Sequence, residues 1–349
     1  MKPEDLVRPE ILALKAYPVP SSAGMVKLDA MENPYTLPEE LRRELAAVLA
    51  RVDVNRYPPN PQKLLDALAR RMEVPPGMKL LAGNGSDELI QIIITALARP
   101  GAAMLYPSPT FVMYSMGATF SGMKAIAVPL REDFSFDPDA FIARMKAEKP
   151  ALVFIAYPNN PTGVLYPQED VVKVIRACEG LVVIDEAYHV FAGKTFMRRL
   201  GEFPNLVVLR TVSKLGLAGI RLGYLAGPPE WIDQLDKVRP PYNVGVLTQA
   251  AALFLLERLD VLEAQAARIK ADRAGLGQSL AALKGVTVFP SEANFFLMRV
   301  PDAARTYDAL KQQSVLVKNL HPGIPNCLRV TVGTPDENRI LLTALREAL

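Results

Sequence analysis

Three polar residues, Asn160, Asp185 and Lys214, each follow an apolar run, and they stand 25 and then 29 residues apart. The runs are Leu152–Ala156, Val182–Ile184 and Leu206–Leu209, short and rich in β-branched residues, as buried strands are. Between the first two, Gln168–Cys178 carries apolar residues at helical spacing. Strand, helix and strand repeated at this interval make the β–α–β pattern of a parallel sheet. Ligands of such sheets bind beyond the carboxyl ends of the strands. The chain is therefore expected to bring Asn160, Asp185 and Lys214 to one crevice.

The residue types at these positions narrow the chemistry. Lys214 lies in T-V-S-K-L-G-L-A-G-I-R-L-G-Y, Thr211 to Tyr224. Its amine could form a Schiff base with an aldehyde, while the Thr211 and Ser213 hydroxyls and the Arg221 guanidinium hold a phosphate. Alone, the segment reads more readily as a strand-to-helix turn with a solvated lysine. The upstream segments decide between these readings. Y-P-N-N-P-T-G, Tyr157 to Gly163, makes a tight turn at a strand end. V-V-I-D-E-A-Y, Val182 to Tyr188, ends a buried-type strand in a carboxylate, which is costly unless a cation meets it. A protonated pyridine nitrogen is such a cation. Aldehyde, phosphate and pyridine together describe pyridoxal 5'-phosphate.

A Gly-rich loop opens a helix at L-A-G-N-G-S-D-E-L-I-Q, which places Ser86 or Asp87 near its N-cap. A helix N-terminus suits a phosphate. The dinucleotide fingerprint is excluded, because its third glycine is missing. Downstream, A-M-L-Y leads into P-S-P-T-F-V-M-Y, which offers Phe111 as a flat apolar face.

In this order the motifs resemble the fold-type I PLP-dependent aminotransferases, and within them the histidinol-phosphate aminotransferases. The resemblance runs from M-E-N-P at Met31–Pro34 to L-R-V-T-V-G at Leu328–Gly333. It implies an α/β fold with a mostly parallel central sheet flanked by helices, and a smaller α+β domain. Residues 1–44 would be an N-terminal arm belonging to the small domain, 45–240 the large PLP-binding domain, and 241–349 the C-terminal small domain.

The resemblance also assigns roles. Lys214, Asp185 and Tyr188 are catalytic. Gly85, Ser86 and Asp87 contact the cofactor phosphate, along with Thr211, Ser213 and Arg221. Phe111 stands where a tyrosine commonly stacks on the pyridine ring; the stacking face is kept and the hydroxyl is lost. Asn160 and Tyr188 hydrogen-bond the cofactor's ring oxygen. Tyr57, in R-Y-P, reaches the phosphate of the neighbouring subunit, which calls for a homodimer. Tyr17, Asn33, Lys318 and Arg329 bind substrate. Lys318 replaces a usual arginine, and Met31 departs from the family's N-E-N-P. An arginine fork at 329 suits a carboxylate or a phosphate equally.

The implied reaction moves an amino group from glutamate to imidazole-acetol phosphate, giving 2-oxoglutarate and L-histidinol phosphate. An aromatic amino acid aminotransferase, a threonine-phosphate decarboxylase and a non-catalytic PLP-binding regulator remain as alternatives.

Composition sets the outer bounds. Half of the 349 residues are hydrophobic, ample for a large core. The net charge of +3 is spread without a basic block, so no nucleic-acid partner is expected. Two cysteines, Cys178 and Cys327, lack metal spacing and fit a reducing cytoplasm. Neither histidine, His189 or His321, has neighbours suggesting a triad or a metal site. No apolar run has membrane-spanning length, and the N-terminus lacks a signal-like core. Helices are expected at Pro38–Arg51 and Pro61–Met72, then an α/β core over Lys79–Leu235. One long helical stretch follows at Leu247–Ala282. Short strands after Val286 then alternate with helices near Ala303–Gln313 and Pro335–Leu349.

Overall fold

The structure, a computed structural model, describes residues 1–16 and 18–349. Tyr17, expected to touch substrate, lies outside the described residues. Seven strands form the central sheet in the order Lys79–Asn84, Leu222–Gly227, Leu206–Thr211, Leu181–Asp185, Leu152–Ala156, Ala103–Ser108 and Lys124–Pro129. Leu222–Gly227 runs antiparallel to both of its neighbours, and the other pairings are parallel.

The three strands read from the sequence form the middle of this sheet, and all of their residues are buried. A strand covered on both faces needs apolar side chains at every position, which is why these runs do not alternate with polar residues. Successive side chains still point to opposite faces. Val153, Ile155, Val182, Ile184 and Val208 enter the core on one face. Leu152, Phe154, Val183, Val207 and Leu209 enter the core on the other. The register pairs Ala156 with Asp185 and Asp185 with Leu209, so the strand ends are level at one edge.

A second sheet, antiparallel, is ordered Lys318–Asn319, Cys327–Thr331, Phe295–Arg299, Thr287–Val288. Helix Ala303–Gln312 packs on it, and Pro335–Ala348 packs on that helix and on the strand Val315–Leu316. Thr334 caps the second of these in a capping box with Glu337, satisfying two backbone donors. The strand Val26–Lys27 pairs in parallel with Val315–Leu316, and Leu28 joins the core of this lobe.

The long helical stretch expected over Leu247–Ala282 is two helices, Val246–Leu256 and Leu259–Ala281. Arg258 leaves helical dihedrals, with φ −121° and ψ 34°. Its guanidinium sits 3.8 Å over the Phe254 ring and 2.9 Å from Glu44. Apolar spacing continues on both sides, and no Gly or Pro marks the break. The first helix packs on Glu39–Leu49 and Gln62–Arg71, and Leu255, Leu256 and Leu262 extend the core of the large sheet. The other expected helices end within two residues of their observed bounds. The strands Val26–Lys27, Val315–Leu316 and Lys318–Asn319, two residues each, are too short for periodicity to reveal.

Candidate active site

A cavity of about 250 Å³ opens at the carboxyl ends of the central strands. Its walls include Ser86, Asp87, Phe111, Asn160, Asp185, Tyr188, Thr211, Ser213, Lys214 and Arg221. Residues from five separate segments thus meet in one place, as the strand-end argument requires.

Lys214 lies in a wide helical turn, Ser213–Leu217, that follows the strand Leu206–Thr211. Gly216 adopts φ +129° there, and a Cβ would stand 2.8 Å from the Asn33 amide nitrogen, so both backbone and space require glycine. The Lys214 amine donates to the Ala30 carbonyl at 2.8 Å. Burial and, after it, the Arg329 charge lower its pKa to about 8. Asn33 does not line the cavity. Its amide donates to the Leu215 carbonyl at 3.1 Å and to Gln265 at 2.8 Å, bracketing the lysine turn.

Asp185 is 4% exposed. Burial raises its pKa to about 6, against the pull of two donors: the Tyr114 hydroxyl at 2.7 Å and the Ala187 N–H at 3.0 Å. Tyr114 was not anticipated. The available signal was its position one helical turn after Phe111, on which it packs edge-on at 5.8 Å. Tyr188 packs edge-on against Phe295, and the Lys214 nitrogen lies 6.0 Å from its ring centre.

At the opposite wall the N-cap of helix Ser86–Leu97 is Gly85, with φ +80°, rather than Ser86 or Asp87. Only glycine adopts this conformation readily. A Cβ on Gly85 would lie 2.5 Å from the Arg221 guanidinium, and one on Gly223 would lie 2.6 Å from the Ser86 nitrogen. The guanidinium is 3.2 Å from Asp87. The Thr211 hydroxyl donates to that of Ser213 at 2.9 Å. A helix N-terminus beside an arginine and two hydroxyls suits an anion. A buried carboxylate in the same cavity suits a protonated ring nitrogen. The residues present therefore fit pyridoxal phosphate.

Arg329 is 7% exposed. It donates to Asn160 Oδ1 at 2.6 Å and to the Asp29 carbonyl at 2.8 Å. Lys318 is its direct partner across the antiparallel ladder, so the two cations share a face of the small sheet. Tyr57 does not line its own chain's cavity. It is 78% exposed and stacks on Tyr242 at 4.5 Å. His189 lies 2.9 Å from the Glu186 carbonyl, and burial holds it well below its usual pKa. His321 accepts from the Asn326 N–H at 3.3 Å.

A buried ion pair beneath the site escaped the sequence reading. Arg210 meets Glu186 at 2.8 Å, with both side chains nearly enclosed. The Thr195 hydroxyl bonds Glu186, and Arg210 in turn donates to Thr195. Asp185 and Thr211, the chain neighbours of this pair, face the cavity. Among the described residues no cluster has the makings of a metal site, and no helix is long and apolar enough to cross a membrane.

The sequence profile of the family described as "Aminotransferase class I and II" matches residues 23–345. The chain belongs to this family. Among its curated relatives, histidinol-phosphate aminotransferase 2 of Burkholderia pseudomallei is 56% identical over 352 residues, covering 99% of each chain. Histidinol-phosphate aminotransferase of Chromobacterium violaceum is 54% identical, covering 98% of each. A solved aminotransferase of similar shape is the histidinol-phosphate enzyme from Sinorhizobium meliloti in complex with pyridoxal-5'-phosphate. It superposes with a TM-score of 0.85 at 25% identity, over 98% of this chain and 97% of that one. L-threonine-O-3-phosphate decarboxylase from Porphyromonas gingivalis shares the fold, with a TM-score of 0.78 at 22% identity over 92% and 98% of the two chains.

Proposed function

We propose that this aminotransferase carries the amino group of glutamate to imidazole-acetol phosphate, releasing 2-oxoglutarate and L-histidinol phosphate, as a step of histidine biosynthesis. The observation that carries the proposal is the 56% identity, along essentially the whole chain, to a protein named histidinol-phosphate aminotransferase. It favours transfer to a phosphate-bearing acceptor over the aromatic aminotransferase and decarboxylase alternatives.

Pyridoxal phosphate, when bound, supplies an aldehyde that takes up the amino group and a ring that draws electrons from the reacting carbon. This chain's residues do the rest. Gly85, Ser86, Asp87, Thr211, Ser213 and Arg221 would hold its phosphate. Phe111 would cover its ring, while Asn160 and Tyr188 would hydrogen-bond its ring oxygen. Asp185 would keep a proton on the ring nitrogen by offering it a carboxylate. Lys214, whose amine lies in the cavity, would hold the aldehyde end of the cofactor and would move a proton from the substrate Cα. A pKa of about 8 leaves a useful fraction of the amine neutral near pH 7.5. Arg329 and Lys318, with Tyr17, would bind the anionic end of the substrate, whereas Asn33, expected beside them, braces the turn that carries Lys214.

The reading includes a homodimer in the cytoplasm, with Tyr57 completing the neighbour's phosphate site. Tyr57 is exposed and does not line the cavity of its own chain, which supports this. It also divides the chain into a large domain, expected over 45–240, and a small one, expected to combine 1–44 with 241–349. The pairing of Val26–Lys27 with Val315–Leu316 supports the second grouping. The packing of Val246–Leu256 on Glu39–Leu49 and Gln62–Arg71 and in the core of the large sheet supports moving the first two of these helices to the large domain.

The test is to incubate the cofactor-loaded enzyme with histidinol phosphate and 2-oxoglutarate and to measure glutamate formed. Phenylalanine and threonine phosphate serve as rival substrates. Faster glutamate production from phenylalanine, or carbon dioxide release from threonine phosphate, would overturn the proposal.

A further inference from the structure

Asp185 makes its polar contacts with two donors, and one comes from a residue with no assigned role. The Tyr114 hydroxyl donates to Oδ2 at 2.7 Å, and the Ala187 N–H donates to Oδ1 at 3.0 Å. Tyr114 is 0% exposed, from the helix Val112–Ser121. Its ring stacks on Phe154 at 4.5 Å with an interplanar angle of 13°, and meets Phe111 edge-on at 5.8 Å. One phenol therefore touches both the carboxylate and the aromatic face that line the cavity. Its rotation is blocked by the stack, which fixes where its hydroxyl points.

We infer that Tyr114 is a positioning residue that holds Asp185 as an oriented anion facing the cavity. The inference rests on the proposed PLP chemistry for its purpose, though not for its geometry. A hydroxyl donates more strongly to a carboxylate than to a carboxylic acid, so the bond favours the charged form. The phenol itself stays protonated, because burial and the Asp185 charge both drive its pKa far up. The direction of donation is thus fixed from Tyr114 to Asp185. Other groups facing Asp185 act in both directions. Asp87 and Glu186 repel a negative charge there, and Lys214 and Arg221 are cations on the cavity walls. Without the phenol, the Ala187 N–H is the one hydrogen bond left to oppose burial, and the carboxyl holds its proton at higher pH. A protonated Asp185 gives the ring nitrogen no anion with which to keep its own proton.

The experiment reads the carboxyl directly. Cofactor-free protein labelled with 13C at aspartate carboxyls is titrated by NMR, with Asp185→Asn identifying the resonance. Tyr114→Phe is expected to raise the Asp185 midpoint by about one to two pH units, the worth of one hydrogen bond to a charged group. Replacing Tyr114 with 3-fluorotyrosine, a more acidic donor that keeps the packing, is expected to move the midpoint down. In the loaded enzyme, Tyr114→Phe should lower kcat about tenfold or more, with KM little changed, and shift the acidic limb of the pH profile upward. Adding Tyr114→Phe to Asp185→Asn should cost little further. An unmoved midpoint in both variants, or fluorotyrosine moving it upward, overturns the inference. Because the titration uses neither substrate nor cofactor, it stands apart from the proposed reaction, which fails separately if the wild type turns over no histidinol phosphate.

Discussion

Arg329 Nη1 lies 2.6 Å from Asn160 Oδ1 and donates to it. The arginine belongs to the small sheet and the asparagine to a strand end of the large one, so this bond spans the two parts of the fold at the cavity. On the proposed reading, an incoming substrate anion would compete for the same guanidinium. Arg329→Ala is therefore expected to raise the KM for histidinol phosphate about ten- to hundredfold, the equivalent of about 1.5–3 kcal/mol for a charge-assisted bond. Cofactor affinity, measured by equilibrium dialysis, should change far less. Equal losses in both would place Arg329 at the cofactor instead.

Lys214→Ala should abolish transamination while the phosphate contacts still retain pyridoxal phosphate. Borohydride reduction of the wild type followed by peptide mapping should place the label on Lys214. Label on another lysine would sink the assignment.

The depressed pKa of Lys214 also has a consequence for the cofactor-free protein. Folded, the amine loses its proton near pH 8; unfolded, it does so near the ordinary value of 10.5. Between these values the unfolded chain binds more protons, so stability rises with pH through that window. Below pH 8 the buried ammonium is a standing cost. Lys214→Met removes it, so the variant should be more stable than wild type at pH 7, with the gap closing by pH 10.5. Urea unfolding at the two pH values measures this, and a gap that widens with pH would show the sign to be wrong.

On the proposed reading, the amide of Asp185→Asn would not hold the ring nitrogen protonated. A rate loss of at least roughly a hundredfold is expected, at the low end for removing one preorganised electrostatic partner. Near-normal turnover would mean that the carboxylate only supports the fold.

The chain announces its large sheet because strands covered on both faces must be apolar throughout, and Asn160, Asp185 and Lys214 interrupt that pattern where each strand ends. Gly85 shows the limit of such reading. The glycine pattern marks the loop, but which residue caps the helix depends on the φ of +80° that the packing of Gly223 and Arg221 imposes. Tyr114 and the Glu186–Arg210 pair were not legible, because a buried tyrosine looks like core and partners 24 residues apart carry no local signal. Asn33 is legible as a motif residue, yet its amide is used on the lysine turn, a contact 182 residues away in sequence. At the break, Arg258 contacts Glu44, 214 residues away in sequence, and no Gly or Pro foretells it.

The buried pair yields its own prediction. Arg210→Met leaves the Glu186 carboxylate without its cation and should destabilise the protein by about 3–5 kcal/mol. Adding Glu186→Gln removes the stranded charge and should recover much of the loss. Urea unfolding of the cofactor-free variants decides it. A double variant no more stable than Arg210→Met would show that the arginine acts by packing alone.

Lys318 gives the sharpest test of what the substrate pocket is built to hold. It stands opposite Arg329 across the ladder, so both side chains leave the same face of the small sheet. A lysine presents a point charge, whereas an arginine presents a planar fork that matches two phosphate oxygens. If this face binds a substrate phosphate, Lys318→Arg should preserve or lower the KM for histidinol phosphate, while Lys318→Ala raises it about tenfold, in line with the loss of one charged bond. Free phosphate should compete with histidinol phosphate in the wild type and in Lys318→Arg, and compete poorly in Lys318→Ala. The KM for glutamate separates the alternatives, because it carries carboxylates and no phosphate. A change confined to histidinol phosphate identifies a phosphate contact, whereas equal changes for both donors mean that Lys318 acts on the face as a whole.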